Sequence, residues 1–327
     1  MAMSLLRRQL LQLAAGVVAS PAVSLLAHAQ AYPSRSVRVI VPVGPGGQND
    51  TIVRLVAQKL SENLGQSYYV ENQGGGSGNI GMGAAARAPA DGYTILAAGG
   101  NFVINPSLYA KIPYDPVADF TPVTMLCSSP HVLAVHPSVP AVSVKELVAL
   151  AQADPGKLSY ASAGRGTPAH LAGELFRLAF GVDVTHVPFS GGGQAITSTI
   201  GGHTSMAVSA VPTAAPYIRG GNVRALAVMS ATRTSVLPGV PTMAEAGRPL
   251  EADIVTGLLV RAGTPREIVE LLHREVVRVM AAPEIRERLV TLGFEPVAGS
   301  PEEFAAWIRN EIAKWANVIR DANITPQ

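Results

Sequence analysis

Short β-like runs and amphipathic helical stretches alternate along almost the whole chain after residue 31, and this alternation restricts the fold more than any other feature. Such a succession indicates layered α/β architecture with mainly parallel strands. Val37–Val41 leads into a helix over Thr51–Leu64, whose Ile52, Leu55, Val56, Leu60 and Leu64 share one face and which Gly65 stops. Tyr68–Val70 and Tyr93–Ala97 read as strands, with a loop over Gly74–Gly81 and a short helix over Met82–Ala88 between them. The proline-rich stretch from Pro106 to Pro122 reads as an irregular excursion, and Val132–Val135 as a strand.

Beyond residue 135 the pattern starts again. Ser143 and Glu146 form a capping box for a helix to Ala153, and Thr167 and Pro168 open a helix over Ala169–Phe180 that Gly181 closes. Short strands follow at Val184–Val187, Met206–Ser209 and Ala225–Met229. Leu258–Val260 then returns the chain to the first unit, and Thr264-Pro265 and Ser300-Pro301 open C-terminal helices. The expected organisation is a first lobe over 32–133, a second over 134–254, and a return to the first lobe over 255–327. Two lobes joined by two crossovers enclose a cleft, where ligand sites concentrate.

Residues 1–31 carry Arg7-Arg8, a short apolar run and a small-residue stretch ending Ala27-His28-Ala29-Gln30-Ala31. That is the pattern of an export signal, cleaved after Ala29 or Ala31, by either the general or the twin-arginine route. No later segment reads as a membrane span, so the expected location is the periplasm. Arg7 and Arg8 are the only charged residues before Tyr32, so a formal net charge of +2 falls to zero once the signal is removed. A neutral chain without Lys/Arg clusters is a poor partner for nucleic acid. The single Cys127 offers neither an internal disulfide nor a thiolate metal site, and reads as a small buried residue. His131, His136, His170, His186 and His203 show no metal-ligand spacing, and no cofactor is expected.

Two glycine-rich turns sit between a strand and a helix start: Gly44–Asp50 and Ala163–Pro168. Unpaired N–H groups at the positive end of a helix make such a turn a site for a small anion. The first lacks the Lys and Ser/Thr of a phosphate loop. Gly76–Gly81 and Gly164–Ala169 match dinucleotide fingerprints loosely, which is weak support for NAD chemistry in an exported chain. Ser162, His170 and Asp183 could be drawn as a hydrolytic triad, but His170 reads better as a partly buried imidazole bonded to nearby backbone. Arg165 is the one formal positive charge in these loops, either a charge partner for an anion or an exposed loop arginine.

Several segments taken together resemble one family. They include Val41-Pro42…Pro45-Gly46-Gly47…Asp50, Gly76…Gly78-Asn79-Ile80-Gly81, Asp91-Gly92-Tyr93-Thr94 and His170-Leu171-Ala172-Gly173-Glu174-Leu175-Phe176. Asn105-Pro106-Ser107-Leu108-Tyr109, His186-Val187-Pro188-Phe189, Arg224-Ala225-Leu226-Ala227-Val228, Pro241-Thr242…Glu245-Ala246-Gly247 and Ala262-Gly263-Thr264-Pro265 belong to the same set. In order and spacing they resemble the Bug family, the extracytoplasmic solute receptors of tripartite tricarboxylate transporters. The resemblance implies a two-lobed type II periplasmic binding protein, a Venus flytrap with no enzymatic activity. It also implies a small organic carboxylate as ligand, a tripartite permease as partner, and a monomer.

The family holds a carboxylate largely through backbone amides, which implicates Gly46, Gly47 and Asp50 on one lobe and Gly166, Thr167 and His170 on the other. With their neighbours, the candidate contacts are Gly46, Gly47, Gln48, Asp50, Asn79, Arg165, Gly166, Thr167, Pro168, His170, Ser190, Gly191 and Ser209. Ser190 stands where the family commonly has Lys, Arg165 where a small polar residue is common, and Ser205 where Asp is frequent. Val255-Thr256-Gly257 lacks a frequent Trp, so the ligand is expected to be atypical. A receptor signalling through a sensor kinase is the alternative function, and an exported hydrolase a third.

Overall fold

The computed structural model describes residues 32–46 and 48–326, with the backbone alone for Gln48. The export signal expected at 1–31 and the candidate contact Gly47 lie outside the described residues, as does the side chain of Gln48. Among the described residues, 35–326 belong to one compact unit.

Among the described residues there are ten strands: β1 (Val37–Val41), β2 (Tyr68–Asn72), β3 (Thr94–Ala98), β4 (Phe120–Val135), β5 (Ser159–Ser162), β6 (Thr185–Pro188), β7 (Met206–Ala210), β8 (Arg224–Val228), β9 (Asp253–Arg261) and β10 (Glu295–Pro296). They are ordered β2-β1-β3-β9-β4-β7-β5-β6, with β8 and β10 also on β4. The helices are α1 (Gln48–Leu64), α2 (Asn79–Ala86), α3 (Gly100–Leu108), α4 (Val144–Ala153), α5 (Pro168–Phe180), α6 (Gly192–Ile200), α7 (Val211–Arg219), α8 (Arg266–Ala281), α9 (Pro283–Thr291) and α10 (Pro301–Asp321).

Two sheets share β4. Its first part, Phe120–Pro130, pairs antiparallel with β9, and its last five residues, His131–Val135, pair antiparallel with β7 and β8. The change of partners falls between Pro130 and His131, and on the return between Ala252 and Asp253; the expected lobe limits at 133/134 and 254/255 lie within β4 and β9. The expectation of mainly parallel strands holds only in the outer wings, β2-β1-β3 and β7-β5-β6. Around β4 and β9 every pairing is antiparallel. Strands that return between lobes run against the wings, which pattern alone does not reveal.

The wings follow from composition. β3 is buried at all five positions, and β1 at four of five, as strands covered on both faces require. Phe102, Tyr114 and Phe120 pack together with ring centroids 5.4–6.2 Å apart, and this cluster holds the segment after β3 in place. The stretch read as irregular is therefore partly helical and partly strand: α3 includes Pro106, and β4 begins at Phe120. Cys127 is fully buried in β4, where burial pushes its thiol up to about 12. Among the described residues no helix is long and apolar enough to cross a membrane.

Candidate functional site

Both parallel wings send the carboxyl ends of their strands toward the same place, and each of those ends runs into a helix. The turn after β1 is built around Asp50. Its buried carboxylate accepts bonds from Gly46 N at 2.9 Å, Asn72 Nδ2 at 2.8 Å and Arg54 Nε at 3.0 Å. Burial opposes its charge, but the bonds from Arg54, Gly46 and Asn72 outweigh that and hold it below the ordinary carboxylate range. Gly46 takes φ +80°, a backbone region that favours glycine. Asp50 thus shapes the turn, with its acceptor capacity spent inside the protein.

The turn after β5 is held in the same manner. Thr167 caps α5 by accepting from His170 N at 3.3 Å, while its hydroxyl donates to Gly164 O at 2.7 Å. Gly166 N donates to His170 Nδ1 at 3.1 Å, which leaves the ring proton of neutral His170 on Nε2. His170 stacks on His186 with centroids 4.0 Å apart, and His186 Nε2 lies 2.7 Å from Ser162 Oγ. Burial is the main cause holding both imidazoles down, His186 to about 3. Ser162 is thus paired with His186 rather than His170, and an imidazole this acidic is a poor base at neutral pH. Gly166, at φ +72°, also packs on α3: a Cβ there would come within 2.5 Å of Leu108 Cδ2.

Between the two turns lies a cavity of about 370 Å³. Its wall includes Gly46; Thr167, Pro168 and Ala169 at the start of α5; Gly192 and Gly193 at the start of α6; and Ala210 and Thr213 at the start of α7. Neither α6 nor α7 has a side-chain cap. His131 of β4 and Ile254 of β9 add the crossover strands. Among the described wall residues none is Asp, Glu, Lys or Arg. An adjoining space of about 160 Å³, bordered by Asn49, Gly99, Gly100 and Asn101, shares Pro168 and Ile254 with it. Asn49 is fixed there by Thr256 Oγ1, which donates to its Oδ1 at 2.7 Å.

Of the candidate contacts, Gly46, Thr167, Pro168 and Ser209 border the cavity. Asp50, Gly166 and His170 stand behind it and shape its turns. Asn79 accepts from Asn105 Nδ2 at 2.8 Å and Tyr114 OH at 3.3 Å, tying the Gly76–Gly81 loop to α3. Ser190 is exposed and donates to Gln194 Oε1 at 2.5 Å, and Gly191 precedes α6 in extended conformation. Arg165 is exposed and not part of the wall. The sequence places the Pro188–Gly193 glycine loop on the same side as Gly164–Thr167 but names only Ser190 and Gly191 as contacts, where the wall takes Gly192 and Gly193. His131, Ile254 and Thr213 were not anticipated as wall residues, and Ile254 reads as ordinary core. A larger open groove of about 720 Å³ runs beside α6 from Val187 to Thr204. It shares only Gly193 with the cavity and gathers no helix start besides that of α6.

Residues 52–324 match the family described as "Tripartite tricarboxylate transporter family receptor". The chain is a member of that family. It is 34% identical to Protein BugT of Bordetella pertussis over 307 residues, 93% of this chain and 94% of that protein. Among solved structures it is similar to R. palustris Rpa4515 with adipate, at 36% identity and TM-score 0.78, covering 90% of this chain and all of the other. It is likewise similar to MatC from Rhodopseudomonas palustris with bound malate, at 32% identity and TM-score 0.74, covering 88% of this chain and all of the other. The fold is that of a two-lobed periplasmic binding protein, and the family is one of solute receptors rather than enzymes.

Proposed function

We propose that this receptor captures a small organic carboxylate in the 370 Å³ cavity and delivers it to a tripartite permease. The observation that carries the reading is the set of helix starts around a cavity without acidic side chains among its described wall residues. The first turns of α5, α6 and α7 and the Gly46 turn bring the positive ends of four backbone dipoles to one space. That arrangement offers N–H donors to an anion without requiring a formal cation. Relatives holding adipate and malate support a carboxylate in particular. The lobes, with limits at 133/134 and 254/255, would close by bending the two crossover strands, because a bridging ligand favours the closed form.

We place the mature monomer in the periplasm, after removal of residues 1–31. Isothermal titration of residues 32–327 with succinate, malate, glutarate, adipate and citrate tests the reading. At least one should bind saturably at one site, and 100-fold excess over Kd should stabilise the fold by about 2.7 kcal/mol. No binding by any of them, together with no organic acid released on denaturing the protein purified from periplasm, would overturn it.

A further inference from the structure

One wall residue has no part in the helix-start arrangement. His131 sits on β4 one residue past the change of partners, 1% exposed, and borders the cavity. Its Nδ1 lies 2.7 Å from Ala252 O. A carbonyl only accepts, so the proton is on Nδ1, and the neutral ring keeps a bare lone pair on Nε2. Nε2 has no hydrogen-bond partner among the described residues.

The carbonyl that sets the tautomer is itself fixed. His131 N donates to Ala252 O, Ala252 N to Met229 O, and Met229 N to His131 O. The tautomer is thus set before any ligand arrives, on a residue that borders the cavity. Burial, then Lys314, pull the imidazole down to about 4, so it is neutral at physiological pH. Lys314 is held behind the crossover by Glu311 and by Glu251 O.

We propose that His131 Nε2 is an acceptor post that makes the receptor prefer carboxylates carrying a hydroxyl or amide N–H donor over the unsubstituted acids. This rests on the carboxylate reading above and names the ligand class within it. A carboxylate set against the first turns of α5 and α6 leaves its substituent to face the floor of His131 and Ile254. A donor there satisfies the buried nitrogen. A methylene leaves it unpaired, and a second carboxylate oxygen would oppose one lone pair with another.

Matched pairs test this without altering the protein. Residues 32–327 are titrated calorimetrically at pH 7.5 with malate and succinate, 2-hydroxyglutarate and glutarate, and 2-hydroxyadipate and adipate. In each pair that binds, the hydroxy acid should bind at least about tenfold more tightly. Heats in two buffers of different ionisation enthalpy should show no net proton uptake. His131→Asn retains an amide N–H near the Nδ1 position and loses the acceptor at Nε2; it should bring the ratio to about one while the melting temperature stays close to the parent's. Equal or tighter binding of the deoxy acids, proton uptake on binding, or a ratio that survives in H131N would overturn the proposal. If no carboxylate binds at all, the carboxylate reading fails as well, a distinguishable result.

Discussion

At the scale of single residues, the chemistry of the turns is mostly internal. Asp50 takes three donors, so Asp50→Ala should cost about 1–3 kcal/mol in urea unfolding and weaken ligand affinity by loosening the Gly46 turn. A fall in affinity without lost stability would instead place Asp50 against the ligand. Arg165 is exposed and outside the cavity wall, so Arg165→Ala should change carboxylate affinity by less than about twofold, read by titration at constant ionic strength. A loss beyond tenfold would restore it as a charge partner. The sequence pointed correctly to His170 as a partly buried imidazole bonded to backbone, because its helix start was legible from Thr167 and Pro168. His131 was not legible. Its interest arises from a carbonyl 121 residues away, and nothing local announces that contact.

Elements were legible where local signals decide them. Thr167, Ser143 and Ser300 cap their helices, and Ser300 with Glu303 forms a full capping box. Gly181 closes α5 at φ +59°. Elements were misread where prolines suggested a break that tertiary packing overrides. Pro122 borders a register shift in β4, and Pro130 lies where the strand leaves one sheet for the other, two places where a missing N–H is tolerated. Packing between elements gives its own test. A Cβ at Gly257 of β9 would lie 2.3 Å from Phe304 Cζ of α10 and 3.0 Å from Thr124 O. Gly257→Ala should therefore destabilise the protein by about 1–3 kcal/mol through overpacking, and Phe304→Leu should recover part of that loss. Denaturation of both single variants and the double variant measures it.

Across the whole molecule, buried titratable groups set the response to acid. His131, His170 and His186 are held below their ordinary pKa chiefly by burial, so they stay neutral in the fold while the unfolded chain protonates them near pH 6.5. Their contribution is present above pH 6.5 and lost as pH falls toward 4. Asp253, raised by burial to about 7, and Glu311, also raised, act oppositely, favouring the fold below their folded pKa values and losing that contribution as pH rises through them. Among the groups held at about 4, 3 and 7, two histidines, His131 and His186, against one carboxyl, Asp253, leave the unfolded chain with about one extra proton between pH 6 and 5, while His170 and Glu311 act in opposite senses. Stability should therefore fall by about 1.4 kcal/mol per pH unit of acidification in that window, measured by urea midpoints. A flat or rising profile would show that the carboxyls dominate.

The place of β9 has a consequence for how the chain is made. It lies between β3 and β4, with Ile95 opposite Val260 and Pro130 opposite Asp253. Until residues 253–261 have been synthesised, β3 and β4 have no strand between them, and the first sheet stays open at its centre. A growing chain of 250 residues is therefore an incomplete molecule rather than one finished lobe with a second in progress. Final assembly therefore waits for the last quarter of translation.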